Sequence, residues 1–309
     1  MIRVDDLHKH YGAVHALDGL SLHVEPGVVF GFLGPNGAGK TTTLRILTGL
    51  ARPTSGSVRV AGVDLAQDGR LLTKRLGFLP EEPAFYPWMT PSELLDYLGR
   101  LHGMAPAERR LRVKDLLEMV NLASAGKRRI AGFSRGMRQR LGLAAALVHQ
   151  PEVLLLDEPL SALDPAGRKE VLDLIGSLTP RCTVLMSSHI LADMERICTV
   201  IGIIAHGRML VQAPRQELLE RYAQPVFVCT GEQVEAMERW AKDIGKEAWV
   251  TAVQMEGNDV RITARDVGAA RREILRSIVA NGITLQRYEE AQPSLEDVFL
   301  QITGKEAAQ

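Results

Sequence analysis

The first two thirds of the chain alternate between short apolar runs and stretches with helical periodicity. The apolar runs are bounded by Gly and Pro and are apolar at nearly every position, which is typical of strands buried on both faces of a sheet. The predicted strands are residues 28–33, 76–79, 153–156, 183–187 and 200–205. Such strands, separated by helices, predict an α/β fold with a mostly parallel sheet.

The strand pattern disappears between residues 91 and 148, where helical periodicity continues without interruption by apolar runs. Three successive helices are predicted at residues 91–102, 106–121 and 134–148. We therefore expect a helical subdomain, at about residues 84–150, inserted into an α/β domain that covers residues 1–212.

A second pattern begins after residue 212, where Ala213 and Pro214 open a predicted helix that ends at Tyr222. The elements expected next are a strand at 225–230, a helix at 233–244, a hairpin of 248–255 with 260–264, a helix at 269–280, a strand at 283–288 and a helix near 294–302. The order β-α-β-β-α-β is typical of a small ferredoxin-like α+β domain. We assign this accessory domain to residues 213–309.

Composition and charge exclude several classes of protein. The 309 residues are 46% hydrophobic and carry no net charge, so no basic field favours nucleic acid as a partner. The longest apolar runs fall far short of the roughly 20 residues that a membrane-spanning helix needs, so any membrane role is expected to come through a partner. Three cysteines without paired spacing indicate buried thiols in a reducing compartment.

One stretch carries a strong chemical signal. Residues 34–42 read Gly-Pro-Asn-Gly-Ala-Gly-Lys-Thr-Thr and fit the phosphate-loop pattern G-x-x-x-x-G-K-[ST] between a strand and a helix. Glycines let backbone N–H groups turn inward around a polyphosphate, and the following helix directs its positive end at it. Lys40 is expected to reach the β- and γ-phosphates, Thr41 to bind Mg²⁺ and Thr42 to contact the α-phosphate. The candidate binding residues here are Asn36, Gly37, Ala38, Gly39, Lys40, Thr41 and Thr42.

Two acids follow the apolar strand at 153–156. Asp157 and Glu158 stand where a buried strand ends, and desolvated carboxylates are costly without partners. A nearby Mg²⁺ would supply one, held by Asp157 through water, while Glu158 would polarise the attacking water.

Together these motifs resemble the nucleotide-binding subunit of ATP-binding cassette (ABC) transporters over residues 1–212. Residues 133–140 read Phe-Ser-Arg-Gly-Met-Arg-Gln-Arg, where that family has its LSGGQ signature, and residues 161–164, Ser-Ala-Leu-Asp, resemble its D-loop. His189 resembles the switch histidine. Tyr11 stands where the family stacks an aromatic ring on adenine.

The resemblance implies that Ser134 and Gly136 contact the γ-phosphate of an ATP held by the opposite subunit. The chain is therefore expected to form a homodimer, or to pair with a homologous ABC subunit, around two Mg·ATP. His189 would bond the γ-phosphate and help to orient water with Glu158. Taken singly, Ser134 could be only a helix cap, His189 only a polar strand end and Tyr11 only an edge aromatic.

The chain departs from the family pattern at two places. The signature has Arg135 for its first glycine and Met137 for its glutamine, and Glu81 replaces the Q-loop glutamine. A carboxylate at position 81 is expected to approach Mg²⁺ more strongly than an amide. Both departures resemble the ATPases of type-two exporters, as does the Pro-Ser-Leu-Glu-Asp-Val-Phe segment at 293–299.

Phe85, Tyr86, Trp88 and Met89 follow the Q-loop, where the resemblance places a groove for the membrane subunit. They fit an anchoring surface or the core of the helical subdomain equally well. The resemblance thus implies an exporter ATPase, cytoplasmic and peripheral to the membrane, that powers a separate integral membrane permease. The alternative is a soluble ABC ATPase acting on ribosomes or DNA. Such proteins usually carry two cassettes or a long coiled coil, and neither is present here.

Overall fold

The fold was analysed in a computed structural model that describes residues 1–222, 225–291 and 294–306. The chain divides into two compact units, Met1–Arg215 and Gln216–Gln309, called the N-terminal and C-terminal units below. Each has its own apolar core.

The N-terminal unit contains two sheets with helices around them. Its strands are β1 (Ile2–Tyr11), β2 (Val14–Val24), β3 (Val29–Leu33), β4 (Ser55–Val60), β5 (Val63–Asp64), β6 (Leu76–Leu79), β7 (Val153–Asp157), β8 (Thr183–Ser188), β9 (Val200–Ala205) and β10 (Arg208–Pro214). Its helices are α1 (Lys40–Leu47), α2 (Leu65–Leu72), α3 (Pro91–Leu101), α4 (Pro106–Met119), α5 (Arg135–Ala146), α6 (Pro165–Ser177) and α7 (Leu191–Ile197). Helix α8 (Arg215–Tyr222) begins at the last residue of this unit.

The larger sheet has the order β10-β9-β3-β8-β7-β6. Strands β9, β3, β8, β7 and β6 run parallel, and β10 adds an antiparallel edge. Every residue of β3, β7 and β8 is buried, as the continuous apolar runs predict. The predicted α/β fold is confirmed. Strand β7 extends one residue beyond the predicted end because Asp157 still pairs with Ser187 in the ladder.

The smaller sheet, of order β2-β1-β4-β5, is antiparallel and was not among the predicted strands. Ile2, Val4 and Leu7 of β1 are buried, but register shifts interrupt the strict alternation that would identify a strand. The β1–β2 hairpin turns between Tyr11 and Val14. This sheet packs on the larger one through a shared apolar core.

The inserted helices are slightly shorter than the sequence predicts. Helix α3 begins with a capping box in which Thr90 and Glu93 each accept a hydrogen bond from the other's backbone N–H. Helix α4 ends at Met119, before Asn121 takes a left-handed conformation with φ of 54°. Ser134 caps α5 from outside, since its side chain accepts a hydrogen bond from the N–H of Met137.

The C-terminal unit begins within α8, at Gln216, and continues beyond that helix. Its elements are β11 (Val226–Gly231), α9 (Val234–Ile244), β12 (Val250–Glu256), β13 (Asp259–Ala264), α10 (Val267–Ala280), β14 (Leu285–Ala291) and α11 (Leu295–Glu306). The antiparallel sheet order β12-β13-β11-β14 is the ferredoxin-like order that the element sequence predicts. Phe227, Trp240 and Ile274 are buried between the sheet and the helices. Of the segment 293–299, Pro293 lies outside the described residues.

One predicted boundary is wrong in detail. Ala213 and Pro214 do not open a helix, because both pair with β9 as the end of β10. The helix begins at Arg215, whose backbone N–H donates to Thr199 O at 2.9 Å. The Pro ring is tolerated there because β10 is an edge strand, where an absent N–H breaks no inner ladder.

Candidate functional site

The carboxyl ends of the parallel strands bring the predicted chemistry to one edge of the larger sheet. Strand β3 leads into the phosphate loop, β7 into Glu158 and β8 into His189, and these three strands are direct neighbours. Strand β6 lies beside β7 and leads to Glu81. Ligands of open α/β sheets bind at this edge, where loops of neighbouring strands meet.

The phosphate loop depends on two glycines in left-handed conformations. Gly37 has φ of 81° and Gly39 has φ of 108°, values that side chains with a Cβ rarely adopt. A Cβ on Gly39 would also lie 2.7 Å from Ala16 O and 2.7 Å from Leu17 Cδ2. The loop therefore contacts β2 so closely at Gly39 that a side chain would not fit there.

Lys40 is the first residue of α1, and its side chain folds back along the loop. Its Nζ donates to Gly34 O at 2.7 Å and to Pro35 O at 3.2 Å, and the residue is buried. Burial lowers the pKa of the Lys40 ammonium, while the negative charges of Glu158, Asp157 and Glu81 oppose that shift. The only lysine of the loop is therefore a desolvated cation within electrostatic range of three carboxylates.

Ser187 connects the two acids at the end of β7. Its hydroxyl donates to Asp157 Oδ1 at 2.7 Å and accepts the backbone N–H of Glu158 at 3.1 Å. Asp157 is 2% exposed. Glu158 has φ of 48°, a strained conformation for a residue with a Cβ, and such strain is often found at functional sites.

His189 lies against Glu158. Its Nδ1 is 2.8 Å from Glu158 Oε2, and the Glu158 side chain is 12% exposed while that of His189 is 58% exposed. The imidazole thus fixes the direction of a mostly buried carboxylate and itself remains open to a ligand. This is the pairing that a water-orienting acid and its positioning partner require.

These groups share one cavity of about 380 Å³. It is lined by Val14, His15, Ala16, Asn36, Gly37, Ala38, Gly39, Lys40, Thr41, Thr42, Glu81, Glu158 and His189. The structure therefore brings together every predicted loop residue, Glu81, Glu158 and His189. Asp157 does not line this cavity; it precedes Glu158 in the chain, accepts a hydrogen bond from Ser187 and interacts electrostatically with Lys40.

Ser134 and Gly136 lie elsewhere. They line a second cavity, of about 610 Å³, together with Ala162, Leu163 and Asp164 of the D-loop segment. A Cβ on Gly136 would lie 3.2 Å from Ala162 O, so the signature and the D-loop are in close contact. Within one chain the signature residues do not reach the phosphate loop's cavity.

Tyr11 is placed at the tip of the β1–β2 hairpin and does not line the cavity at the phosphate loop. The residue is 49% exposed, and Lys9 Nζ lies 4.6 Å from the centre of its ring. The ring is thus an exposed aromatic at the hairpin tip with an ammonium within cation–π distance.

Two residues of the site were not predicted as such. Ser187 is the last residue of the predicted strand 183–187 and has no predicted role, yet its hydroxyl bonds Asp157 and the backbone of Glu158. His15 lines the cavity beside the loop. Ser187 pairs with Asp157 across two neighbouring strands, so its role can be recognised only when the order of the strands is known.

A phosphate loop, a buried strand ending in two acids and a histidine facing the second acid define a phosphate-loop ATPase of the cassette type. Comparison with known proteins makes this specific. Residues 17–161 match the family model for ABC transporters, and residues 214–303 match the model for the C-terminal domain of DrrA1-3-like ATP-binding proteins.

Curated relatives match over nearly the whole chain. The daunorubicin resistance ATP-binding protein DrrA3 of Streptomyces coeruleorubidus is 36% identical and matches over 99% of this chain and 98% of its own length. The bacitracin transport ATP-binding protein BcrA of Bacillus licheniformis is 35% identical, over 98% of this chain and 97% of its own length. The chain belongs to the ATP-binding subunits of ABC transporters, in the type-two exporter branch that includes these relatives.

Solved structures agree with the fold. The ATP-binding subunit of an ABC transporter superposes with a TM-score of 0.67 at 28% identity, covering 72% of this chain and 93% of that one. A dimeric cassette captured after hydrolysis with ADP and phosphate gives a TM-score of 0.65 at 26% identity, covering 69% and 98%. The protein is an exporter ATPase that binds ATP, as its sequence predicts. None of the described helices has both the length and the apolarity to cross a bilayer.

Proposed function

We propose that the chain hydrolyses Mg·ATP at the interface of a cassette dimer and drives a separate membrane permease of an exporter. The observation that carries this proposal is the convergence of Lys40, Glu158 and His189 on one cavity at the end of the parallel sheet. Positioning and charge stabilisation are what phosphoryl transfer requires of a protein, and this cavity supplies both.

The residues fit a magnesium ion. Thr41, Asp157 and Glu81 offer hydroxyl and carboxylate oxygens, the hard donors that Mg²⁺ prefers when substrate phosphates complete its shell. No group of three His, Cys, Asp or Glu side chains in the described part of the chain is arranged to hold a metal alone. A site that relies on the nucleotide's own oxygens agrees with that finding. The ion would neutralise charge on the phosphates.

The roles of the surrounding side chains follow from their placement. Lys40 holds the β- and γ-phosphates, and Glu158 orients the attacking water while His189 fixes its carboxylate. The backbone N–H groups of the loop hold the remaining phosphate oxygens. Tyr11, exposed at the tip of the β1–β2 hairpin, would stack on the adenine.

Dimerisation completes the site. Ser134 and Gly136 lie in a separate cavity of the same chain, so they are available to the nucleotide of a second copy or of a homologous subunit. The free N–H groups at the start of α5 form the anion site that would close over the γ-phosphate. A homodimer would then hold two Mg·ATP.

The groove for the permease lies beside the helical subdomain. A cavity of about 770 Å³ is lined mainly by apolar side chains, among them Phe85, Tyr86 and Tyr97. Tyr86 and Trp88 are 49% and 65% exposed, with ring centres 5.1 Å apart, so they do not belong to the subdomain core. This supports an anchoring surface for a membrane subunit, which would place the protein at the inner face of the membrane.

Relatives named for daunorubicin resistance and Nod factor export support export as the direction of transport.

The decisive experiment uses the Glu158→Gln variant. It should keep ATP affinity within about twofold, because the γ-phosphate contacts remain, and lose most steady-state hydrolysis, because general-base assistance is worth about 100-fold or more. Light scattering with Mg·ATP should then show an accumulated dimer. Glu152→Gln is the matched control, since Glu152 directly precedes the other end of β7 and its carboxylate pairs with exposed Arg75. Hydrolysis near the wild-type rate in Glu158→Gln would overturn the assignment.

A further inference from the structure

One imidazole on the wall of the nucleotide cavity has no part in the phosphate chemistry. The cavity is lined by Val14, His15 and Ala16 of β2 in addition to the phosphate loop. His15 is exposed, and it is the only one of these three with a polar side chain. Its two ring nitrogens can each donate or accept a hydrogen bond, depending on the tautomer.

The register of the β1–β2 hairpin determines where His15 lies between the hairpin tip and the phosphate loop. Val14 pairs with Tyr11 at the tip, and His15 pairs with His10 one step further in. The next residue, Ala16, abuts the phosphate loop, because its carbonyl would lie 2.7 Å from a Cβ on Gly39. Along β2, His15 therefore lies between the hairpin tip, which carries Tyr11, and the segment that contacts the phosphate loop.

His15 faces the cavity although Leu17, two residues further along β2, is buried. A register shift separates the pair His10–His15 from the pair Lys9–Leu17, so the usual alternation of faces does not extend from His15 to Leu17. The Leu17 side chain packs at the loop, since its Cδ2 would lie 2.7 Å from a Cβ on Gly39. The exposed His15 lines the same cavity as Gly37, Gly39 and Lys40.

A second histidine holds the ring in place. The rings of His10 and His15 are stacked with centres 4.0 Å apart and planes inclined by 24°. The Nε2 of His10 is buried and has no hydrogen-bond partner among the described residues. The backbone N–H of His10 donates to Thr54 Oγ1 at 3.0 Å, which fixes its strand to the loop before β4. His10 thus acts as a platform that orients His15.

We propose that His15 hydrogen-bonds a ribose hydroxyl of the bound nucleotide, with His10 as its positioning residue. In ATP the sugar lies between the base and the phosphates. His15 has the corresponding position, between Tyr11 at the hairpin tip and Gly39 in the phosphate loop. A ribose hydroxyl both donates and accepts, so it satisfies either imidazole tautomer. The inference rests on the proposed function, because it takes the phosphate loop as the site of the triphosphate.

The test compares nucleotides that differ only in the sugar. Titration calorimetry with Mg²⁺ would measure the affinities of ADP, 2′-deoxyADP and 3′-deoxyADP, which are not hydrolysed. One hydrogen bond corresponds to about three- to tenfold in affinity, so wild type should bind one deoxy nucleotide more weakly by that factor. His15→Phe keeps an aromatic ring stacked on His10. This variant should bind ADP as weakly as wild type binds that deoxy nucleotide, and it should no longer distinguish the sugars.

Four further variants make the result specific. His23→Phe is the matched control, because His23 lies on the same strand, is exposed and pairs with Glu25 at 3.0 Å outside the cavity. His10→Ala should reduce the discrimination, and His10→Phe should restore it, as expected of a platform. Lys40→Ala should weaken all three nucleotides together.

The outcomes separate the two proposals. Equal affinity of wild type for the three nucleotides, or unchanged discrimination in His15→Phe, would overturn the role of His15 and leave the phosphate loop untouched. Unchanged affinities in Lys40→Ala would instead contradict the proposed phosphate site itself. Discrimination that is lost in His15→Phe and kept in His23→Phe supports the inference.

Discussion

The Ser187 hydroxyl lies 2.7 Å from Oδ1 of Asp157, and the two residues are register partners at the ends of β8 and β7. The same oxygen accepts the N–H of Glu158, the residue with the left-handed backbone. One buried hydroxyl therefore determines the direction of the proposed metal ligand and the position of the proposed water-orienting acid.

Ser187→Ala should impair hydrolysis more than nucleotide binding. The change leaves a buried carboxylate oxygen and a backbone N–H without this partner, which costs about 1–3 kcal/mol of unfolding free energy. We expect a lower kcat and a higher Mg²⁺ requirement, measured by steady-state hydrolysis over a Mg²⁺ series. Ser177→Ala is the control, because the exposed Ser177 hydroxyl bonds only Leu174 O in its own helix. An unchanged Mg²⁺ dependence would show that Ser187 does not support the site.

Gly39→Ala should weaken nucleotide binding. Alanine at φ of 108° is strained, and its Cβ would lie 2.7 Å from the backbone oxygen of Ala16, so the loop must shift. Losing one N–H contact to a charged phosphate, worth about 1.5 kcal/mol, weakens affinity about tenfold. Gly176→Ala in α6 is the control, because a Cβ there meets no atom within 4 Å and should slightly stabilise the helix. Wild-type ADP affinity in Gly39→Ala would contradict this account.

The sequence predicts the chemistry of the site better than the architecture around it. The glycine pattern and the acids at 157 and 158 are local signals in the sequence. The glycines follow β3 and the acids stand at the end of β7, both strands buried on both faces, and this position places each motif at the same edge of the sheet. The antiparallel sheet of β1 was missed because its register shifts break the alternation. Ser187 and His15 were missed because their roles depend on pairing between distant segments, which no local pattern encodes.

Acid should destabilise the N-terminal unit through His149. Its Nε2 lies 3.0 Å from Leu76 O and its ring stacks on that of His102 at 4.0 Å. Burial, with smaller effects of His102 and Arg112, lowers the pKa of His149 to about 4, against about 6.5 in an unfolded chain. Between these values the unfolded state binds more protons, so the free energy of unfolding falls as the pH falls from about 6.5 to 4.

Urea denaturation at several pH values checks this dependence. His149→Phe keeps a ring for the stack and removes the titration, so its unfolding free energy should vary less with pH across that window than that of wild type. His23→Phe should retain the wild-type slope, because His23 is exposed and pairs with Glu25 at the surface. Equal slopes in wild type and His149→Phe would refute the assignment.

Trp88→Ser should weaken association with the membrane subunit and leave basal hydrolysis intact. Trp88 is 65% exposed beside Tyr86, and an exposed aromatic pair next to an apolar groove is typical of an interface anchor, worth about 2 kcal/mol or more when buried by a partner. Leu111→Ser is a matched control, since Leu111 is 66% exposed in the same helical subdomain but does not line the groove, whereas the Trp88 ring lies 5.1 Å from that of Tyr86, which does line it. Co-purification of tagged protein with its permease from solubilised membranes measures the effect. Equal recovery of the permease with both variants would show that Trp88 does not belong to the docking surface, whereas loss with Trp88→Ser alone would assign it there.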